Sequence, residues 1–330
     1  MLNCKPPRGT HTIGAALAAA ILSTALTGCW YSPPNPALDN YLKGALSAER
    51  GQLDEALNSL NKAIEKNPQL GLAFVARGDV YKQKGDYAKA AQDFEEATRI
   101  EPFNFNANYQ LGLMYQYLKK YAESVRAYQK AVEIRPLDPE ANMNLATVFV
   151  QNGEPLRGVS YAQRAVTGAP DDPNTHANLG ILYAQLGYSE LAVQSLKSSI
   201  ELNSKQPEVY LNLAQEYIKA SKFEQARQVL ETARDIAPTT AIYERLGLVC
   251  YKLKRFADAR EAYRQALQLH PDYFQALNGL GVIAMSQSLS TDPPSIDLAK
   301  EALGYWDRSL KIQPQQPVIQ QLVNKYSAGK

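Results

Sequence analysis

The sequence predicts an all-α chain, a solenoid of about eight helical hairpins closed by a C-terminal capping helix. Three observations carry that expectation. Prolines stand 34 residues apart at 68, 102, 136 and 170 and, after Ser204 takes the next slot, return at Pro238, Pro271 and Pro314. When each unit is counted so that its proline falls at place 32, places 8, 20 and 27 hold only small residues. Apolar residues recur at helical spacing in both halves of each unit, with a turn such as "KGDY" or "NGEP" between the halves.

Place 8 reads Gly44, Gly78, Gly112, Ala146, Gly180, Ala214, Gly247 and Gly281. Place 20 reads Ala56, Ala90, Ser124, Gly158, Ala192, Ala226, Ala259 and Ala302; place 27 reads Ala63, Ala97, Ala131, Ala165, Ser199, Ala233, Ala266 and Ser309. A glycine inside a helix costs about 1 kcal/mol relative to alanine, so its periodic return needs a compensating close approach of two helices. Larger residues alternate with these sites: Tyr81, Tyr115, Phe149, Tyr183 and Tyr217 at place 11, and Leu60, Phe94, Tyr128, Leu196, Leu230, Tyr263 and Trp306 at place 24. They are the knobs and the small residues are the holes.

This pattern resembles the tetratricopeptide repeat over residues 37–316, and "GDVYKQKGDYAKAAQDFEEATRIEP" at 78–102 is its best instance. The resemblance implies a right-handed α-solenoid with units at 37–70, 71–104, 105–138, 139–172, 173–206, 207–239, 240–273 and 274–316. Four departures carry expectations of their own. Ser204 lacks the helix-stopping proline, Pro155 and Gly158 are expected to shorten a second helix, and the sixth unit is one residue short. The eighth has nine extra residues near 286–295, read as a surface loop because "SQSLSTDPPS" favours turns. Residues 317–330 form a capping helix and tail, with Val318, Ile319, Leu322, Val323 and Tyr326 expected on one face.

The N-terminus has a different character. Lys5 and Arg8 precede an apolar run at 13–26, "IGAALAAAILSTAL", which is shorter than the ~17–25 residues of a membrane-spanning helix. That order reads as a secretory signal. Leu26, Thr27 and Gly28 then precede Cys29, an arrangement that resembles the lipobox of bacterial lipoproteins. The resemblance implies a signal peptide at 1–28, lipid on Cys29 and a proline-rich tether at 29–36. It also implies attachment to the cell envelope, and because Trp30 is not aspartate it leans to the outer membrane facing the periplasm. Stable anchoring takes at least two acyl chains. The eight steps from Cys29 to Ala37 span at most about 28 Å, so the folded body would sit close to the bilayer. Two plainer readings stay open: an uncleaved short anchor, and an ordinary secretory signal that leaves a soluble protein.

Composition excludes several function classes. The chain has 45% hydrophobic and 21% charged residues, which suits a packed core rather than a disordered chain. Its formal charge of +2 is accounted for by Lys5 and Arg8, so the rest of the chain is balanced and gives no electrostatic reason to bind nucleic acid. Three cysteines, Cys4, Cys29 and Cys250, form no disulfide framework, and beyond the leader only His176 and His270 remain, so no metal cluster is expected. "GLGVIA" at 279–284 matches a dinucleotide fingerprint as a string but lacks its strand context. No catalytic motif is found and no cofactor is expected; the chain reads as a non-enzyme whose partners are proteins or peptides. Cys250, at an aromatic place, reads as a small buried hydrophobe.

What remains is surface. In the tetratricopeptide family the first helix of each hairpin lines the ligand face, with places 2, 5, 6, 9, 12 and 13 turned to it. Place 6 reads Gln110, Asn144, Asn178 and Asn212 in four successive units. A carboxamide offers donor and acceptor together, so such a ladder can pair with the backbone of an extended peptide. It resembles the ladder lining the superhelix of O-linked N-acetylglucosamine transferases; asparagine is also the repeat's consensus at this place, so a filler role stays open. Places 9 and 12 are largely apolar from the third unit on: Leu113, Val150, Ile181, Ile218, Leu248, Tyr251, Val282 and Met285. The carboxylate-clamp type of repeat is not matched, since Tyr41 and Ala45 stand where its lysine and asparagine would be. The resulting expectation is a tethered scaffold assisting assembly of an envelope complex for pilus, secretion or cell-wall work. The alternative is a non-catalytic regulatory or recruiting subunit of an envelope enzyme.

Overall fold

The computed structural model describes residues 35–327; the leader, Cys29 and the tether up to residue 34 lie outside them. Two compact units divide the chain, residues 1–169 and 170–330. The described part of the first holds four hairpins: α1 (Pro36–Glu49) with α2 (Leu53–Lys66), α3 (Gly71–Gln83) with α4 (Tyr87–Ile100), α5 (Phe105–Tyr117) with α6 (Tyr121–Ile134), and α7 (Pro139–Gln151) with α8 (Pro155–Gly168). The second holds four more: α9 (Pro173–Gln185) with α10 (Ser189–Leu202), α11 (Pro207–Lys219) with α12 (Phe223–Ile236), α13 (Thr240–Lys252) with α14 (Phe256–Leu269), and α15 (Phe274–Leu289) with α16 (Ile296–Ile312). The last helix is α17 (Pro317–Ser327). Among the described residues there is no strand, so "GLGVIA" lies within helix α15.

The first seven hairpins turn through the same device. Place 15 takes a left-handed backbone, supplied by Gly51, Gly85, Gly153 and Gly187 and, where glycine is lacking, by Lys119, Ser221 and Lys254 at φ of 58°, 57° and 59°. The next amide then donates back to the carbonyl five residues earlier, as Asp86 does to Tyr81 (2.9 Å) and Lys222 to Tyr217 (2.8 Å). This 6→1 bond satisfies carbonyls at the helix end. Starts are capped by short polar side chains: Asn35, Asn104, Asp138, Asp172, Thr239 and Ser295 each accept from an amide in the first turn.

The core follows the small-and-large alternation. Every residue at places 20 and 27 is buried, from Ala56 and Ala63 to Ala302 and Ser309. At place 8 the expected holes face the expected knobs: a Cβ on Gly78, Gly112, Gly247 or Gly281 would run into Phe94, Tyr128, Tyr263 or Trp306 of the same hairpin.

Four expectations need correction: the shortened α8, the loop over 286–295, Val318 on the packed face of the cap and Met285 in the groove. Helix α8 is not shortened: it has the same 14 residues as the other second helices of its unit, because Pro155 sits at the first helical positions, where its missing amide has no partner to lose. Gly158 serves contact instead, since a Cβ there would lie 2.8 Å from the Ala146 carbonyl oxygen. The residue missing from the sixth unit is taken from the inter-repeat turn, 237–239, and both its helices keep full length. The nine extra residues of the eighth unit are not all loop. Helix α15 has 16 residues and α16 has 17, against 13 and 14 in the preceding hairpin, and the loop spans only 290–295. Ser288 is buried inside the lengthened helix and donates to the Ser295 carbonyl (2.6 Å), closing that loop locally. Lastly, α17 packs through Ile319, Leu322, Val323 and Tyr326, while Val318 is 67% exposed. Met285 is buried under this cap rather than lining a groove.

Ser204 proves dispensable as a stop. Helix α10 still ends at Leu202 because Asn203 turns extended and its side chain accepts from the Lys205 amide (3.0 Å). Cys250 is buried in the second unit's core, and that burial pushes its thiol pKa up.

Candidate functional site

The first helices of successive hairpins lie side by side within each unit, and the ladder residues sit on them. In the first unit each already has one internal partner. Gln110 accepts from the Lys82 ammonium (3.0 Å), which also pairs with Asp79 (2.8 Å). Asn144 donates to the Tyr109 hydroxyl (2.9 Å), which in turn points at the Glu140 carboxylate (3.4 Å). Burial, and after it the Glu140 charge, hold that hydroxyl protonated far above its ordinary range. Gln116 donates to Gln151 (3.1 Å) one repeat further on. Leu113 is half-buried against two core clusters and Val150 is half-buried at the end of α7.

The second unit differs. Asn178 on α9 and Asn212 on α11 hold the same place in consecutive hairpins, both half-buried, and neither carboxamide has a side-chain partner among the described residues. Ile181, Ile218 and Leu248 are half-buried on the same first helices, α9, α11 and α13, and Ile218 packs against the second unit's core. Tyr251 packs on Phe256 (ring centroids 5.8 Å) and reaches Ser286 (3.2 Å) through its hydroxyl. The row of carboxamides ends at Arg245, which stands 3.6 Å from Glu244, an acid whose pKa burial raises. The ten groove candidates are therefore all half-buried, but only the two asparagines of the second unit keep both donors and acceptors unengaged.

Two features escaped the sequence reading. Place 4 works as a clamp between neighbouring repeats: Asn108 and Asn142 donate to the carbonyls of Pro102 (3.1 Å) and Pro136 (3.0 Å), and His176 brings its Nε2 2.8 Å from the Pro170 carbonyl. Reading place 4 as a column would have shown the two asparagines followed by another donor. An ion pair also crosses between two helices of the second hairpin, where Arg77 grips the buried Asp93 at 2.8 and 2.6 Å and reaches Asn61 (2.7 Å).

Family profiles of the tetratricopeptide repeat match residues 44–85, 78–119, 109–173, 173–206, 211–272 and 251–317. The chain belongs to the tetratricopeptide-repeat (TPR) family. Among solved structures it is similar to the C-terminal part of a TPR protein from Cytophaga hutchinsonii (TM-score 0.61, 14% identity, covering 74% of this chain and 97% of that one). A TPR protein from Parabacteroides merdae matches with a TM-score of 0.54 and 15% identity over 82% of this chain and all of that one. YrrB, a TPR protein with an unusual peptide-binding site, gives a TM-score of 0.50 at 21% identity over 59% of this chain and 97% of its own. These likenesses are of fold.

Among curated proteins, cellulose synthase operon protein C of Escherichia coli K12 is 32% identical over 72 residues. That stretch is 22% of this chain and only 6% of that protein, about the length of two repeats. Among the described residues no helix is long and apolar enough to cross a membrane.

Proposed function

We propose that this TPR chain is a lipid-tethered scaffold that holds an extended segment of a partner protein along the first helices of its second unit. The observation that carries the reading is the pair Asn178 and Asn212, one per consecutive hairpin, with unengaged carboxamides and the half-buried Ile181 and Ile218 on the same helices. Each carboxamide can accept from a peptide N–H and donate to its C=O, while the isoleucines bury its side chains at about 25 cal/mol per Å² before ordering costs. In the first unit Gln110 and Asn144 each spend part of that capacity on an internal bond that ties neighbouring first helices together, so their first role is to hold the helices. The tether is Cys29, and an anchored repeat surface suits the assembly of an envelope complex.

The test compares two double variants in crosslinking from envelope membranes. Asn178→Ala with Asn212→Ala should lose the partner while keeping its helical spectrum, and Gln110→Ala with Asn144→Ala should keep it. Equal capture by both variants and the wild type removes the carboxamide pair from the mechanism. Cys29→Ser should abolish palmitate labelling and release the chain from membranes; retained labelling would refute the tether.

A further inference from the structure

Place 10 of the repeat is aliphatic in every unit but one. It reads Leu46, Val80, Met114, Val148, Leu182, Glu216, Val249 and Ile283. From Val80 on, the aliphatic members are buried in the core. Glu216 is just as deeply placed, its side chain only 1% exposed. One oxygen, Oε1, pairs with the Lys219 ammonium at 2.6 Å; the other, Oε2, is buried with no partner. A buried carboxylate left half-satisfied costs stability, and a chain that writes an aliphatic residue at this place seven times has the cheaper solution at hand. Departures of this kind concentrate at functional sites.

Glu216 also lines a cavity of about 190 Å³ within the second unit. Val193, Tyr217 and Ala220 form apolar walls suited to a methylene stem. The first turn of α10 contributes Ser189 and a second carboxylate, Glu190, and Lys222 stands at the start of α12. The charges facing the cavity are thus Glu190 and Glu216 against Lys222, with Lys219, 47% exposed, already committed to Oε1. The volume is about that of six liquid waters, enough for a guanidinium or ammonium head with part of its stem.

We infer that the Glu216 cavity is a socket for a cationic side chain, arginine or lysine, of a partner protein, whose N–H group donates to Oε2 while its stem lies on Val193, Tyr217 and Ala220. The socket is separate from the Asn178 and Asn212 row, and each can fail without the other.

The experiment titrates the full-length chain, with its valine and alanine methyls labelled, using n-butylguanidinium, n-butylammonium and the neutral n-butanol. Saturable shifts of the Val193 and Ala220 methyls are expected with one or both cations and not with the alcohol; the stronger cation tells arginine from lysine. Glu216→Gln keeps the shape and should weaken binding about tenfold or more, the worth of one charge-assisted hydrogen bond. Glu216→Val restores the repeat's own residue and should bind neither cation while melting at or above the wild-type temperature. Absence of saturable shifts in the wild type, equal binding by Glu216→Gln, or a marked loss of stability in Glu216→Val would overturn the assignment.

Discussion

Gly112 of α5 lies so close to the Tyr128 ring of α6 that a Cβ on it would stand 2.7 Å from the ring. The contact explains why a poor helix former returns at place 8. Alanine would gain about 1 kcal/mol of helix propensity, whereas forcing a methyl into a filled core costs typically 1–3 kcal/mol, so overpacking wins. Gly112→Ala should lower the urea-unfolding free energy by about 1–2 kcal/mol. Adding Tyr128→Leu should recover part of the loss, because the sixth repeat accommodates Ala214 with Leu230, both fully packed. No loss in the single variant would mean that the ring has room to slide.

The left-handed turn residue gives a second expectation, of opposite sign at two positions. A Cβ on Gly85 meets nothing, so Gly85→Ala changes only backbone preference and should cost about 1–2 kcal/mol. Lys254 already carries that strain at φ 59°. Lys254→Gly relieves it but frees the unfolded chain, for a net gain of about 0.5–1 kcal/mol in thermal or urea unfolding. A destabilised Lys254→Gly would show that its side chain does more than tolerate the turn.

These two features also mark what the sequence could convey. Close approach at places 8, 20 and 27 was readable because small residues recur whatever their neighbours, and in the fourth repeat the compensation is written out: place 24 shrinks to Ala162 while place 8 grows to Ala146. Loop placement in the eighth repeat was not readable, since "SQSL" favours turns locally while burial of Ser288 holds it helical. Nor could composition separate Asn144 from Asn212. Their difference arises from what the preceding first helix offers: Tyr109 sits within reach of Asn144, whereas the residue at the same place before Asn212 is Ala177, which has no hydroxyl to bond. Glu216 was visible as a departure at place 10, but only its burial gives it meaning.

His176 does the work of an asparagine. Its Nε2 lies 2.8 Å from the Pro170 carbonyl, so the Nε2–H tautomer is the one that donates. His176→Asn should keep the bond, as Asn108 and Asn142 do, and stay within about 0.5 kcal/mol of wild type. His176→Leu should cost about 1 kcal/mol in equilibrium unfolding. If leucine proves as stable as asparagine, the clamp contributes nothing there.

Glu244 supplies a pH dependence. Burial raises its carboxyl pKa above the usual 4.5, against the opposing pull of Arg245. An acid raised in the folded state contributes its full stability below the unfolded pKa and loses it as the pH climbs through the folded value. Glu244→Gln removes that loss. Its melting temperature should therefore match wild type below the usual carboxylate range and exceed it once the pH has climbed through the folded value. A difference that stays flat across this range would show that Arg245 cancels the effect of burial.

The end of the array offers the sharpest test of how the repeats share stability. Ile319 is 8% exposed and, with Leu322, Val323 and Tyr326, covers Ala284, Met285 and Trp306; the Tyr326 and Trp306 rings are 6.4 Å apart. Ile319→Ala should remove about 2–4 kcal/mol of local packing. In a stack where each hairpin touches only its neighbours, that loss should not spread evenly. Hydrogen exchange should quicken first in α15 and α16, while α9 and α10 of the same unit keep most of their protection. Uniform loss across α9–α17 would mean that the second unit unfolds as one cooperative block, and the terminal helix would then stabilise all of it rather than the last repeat alone.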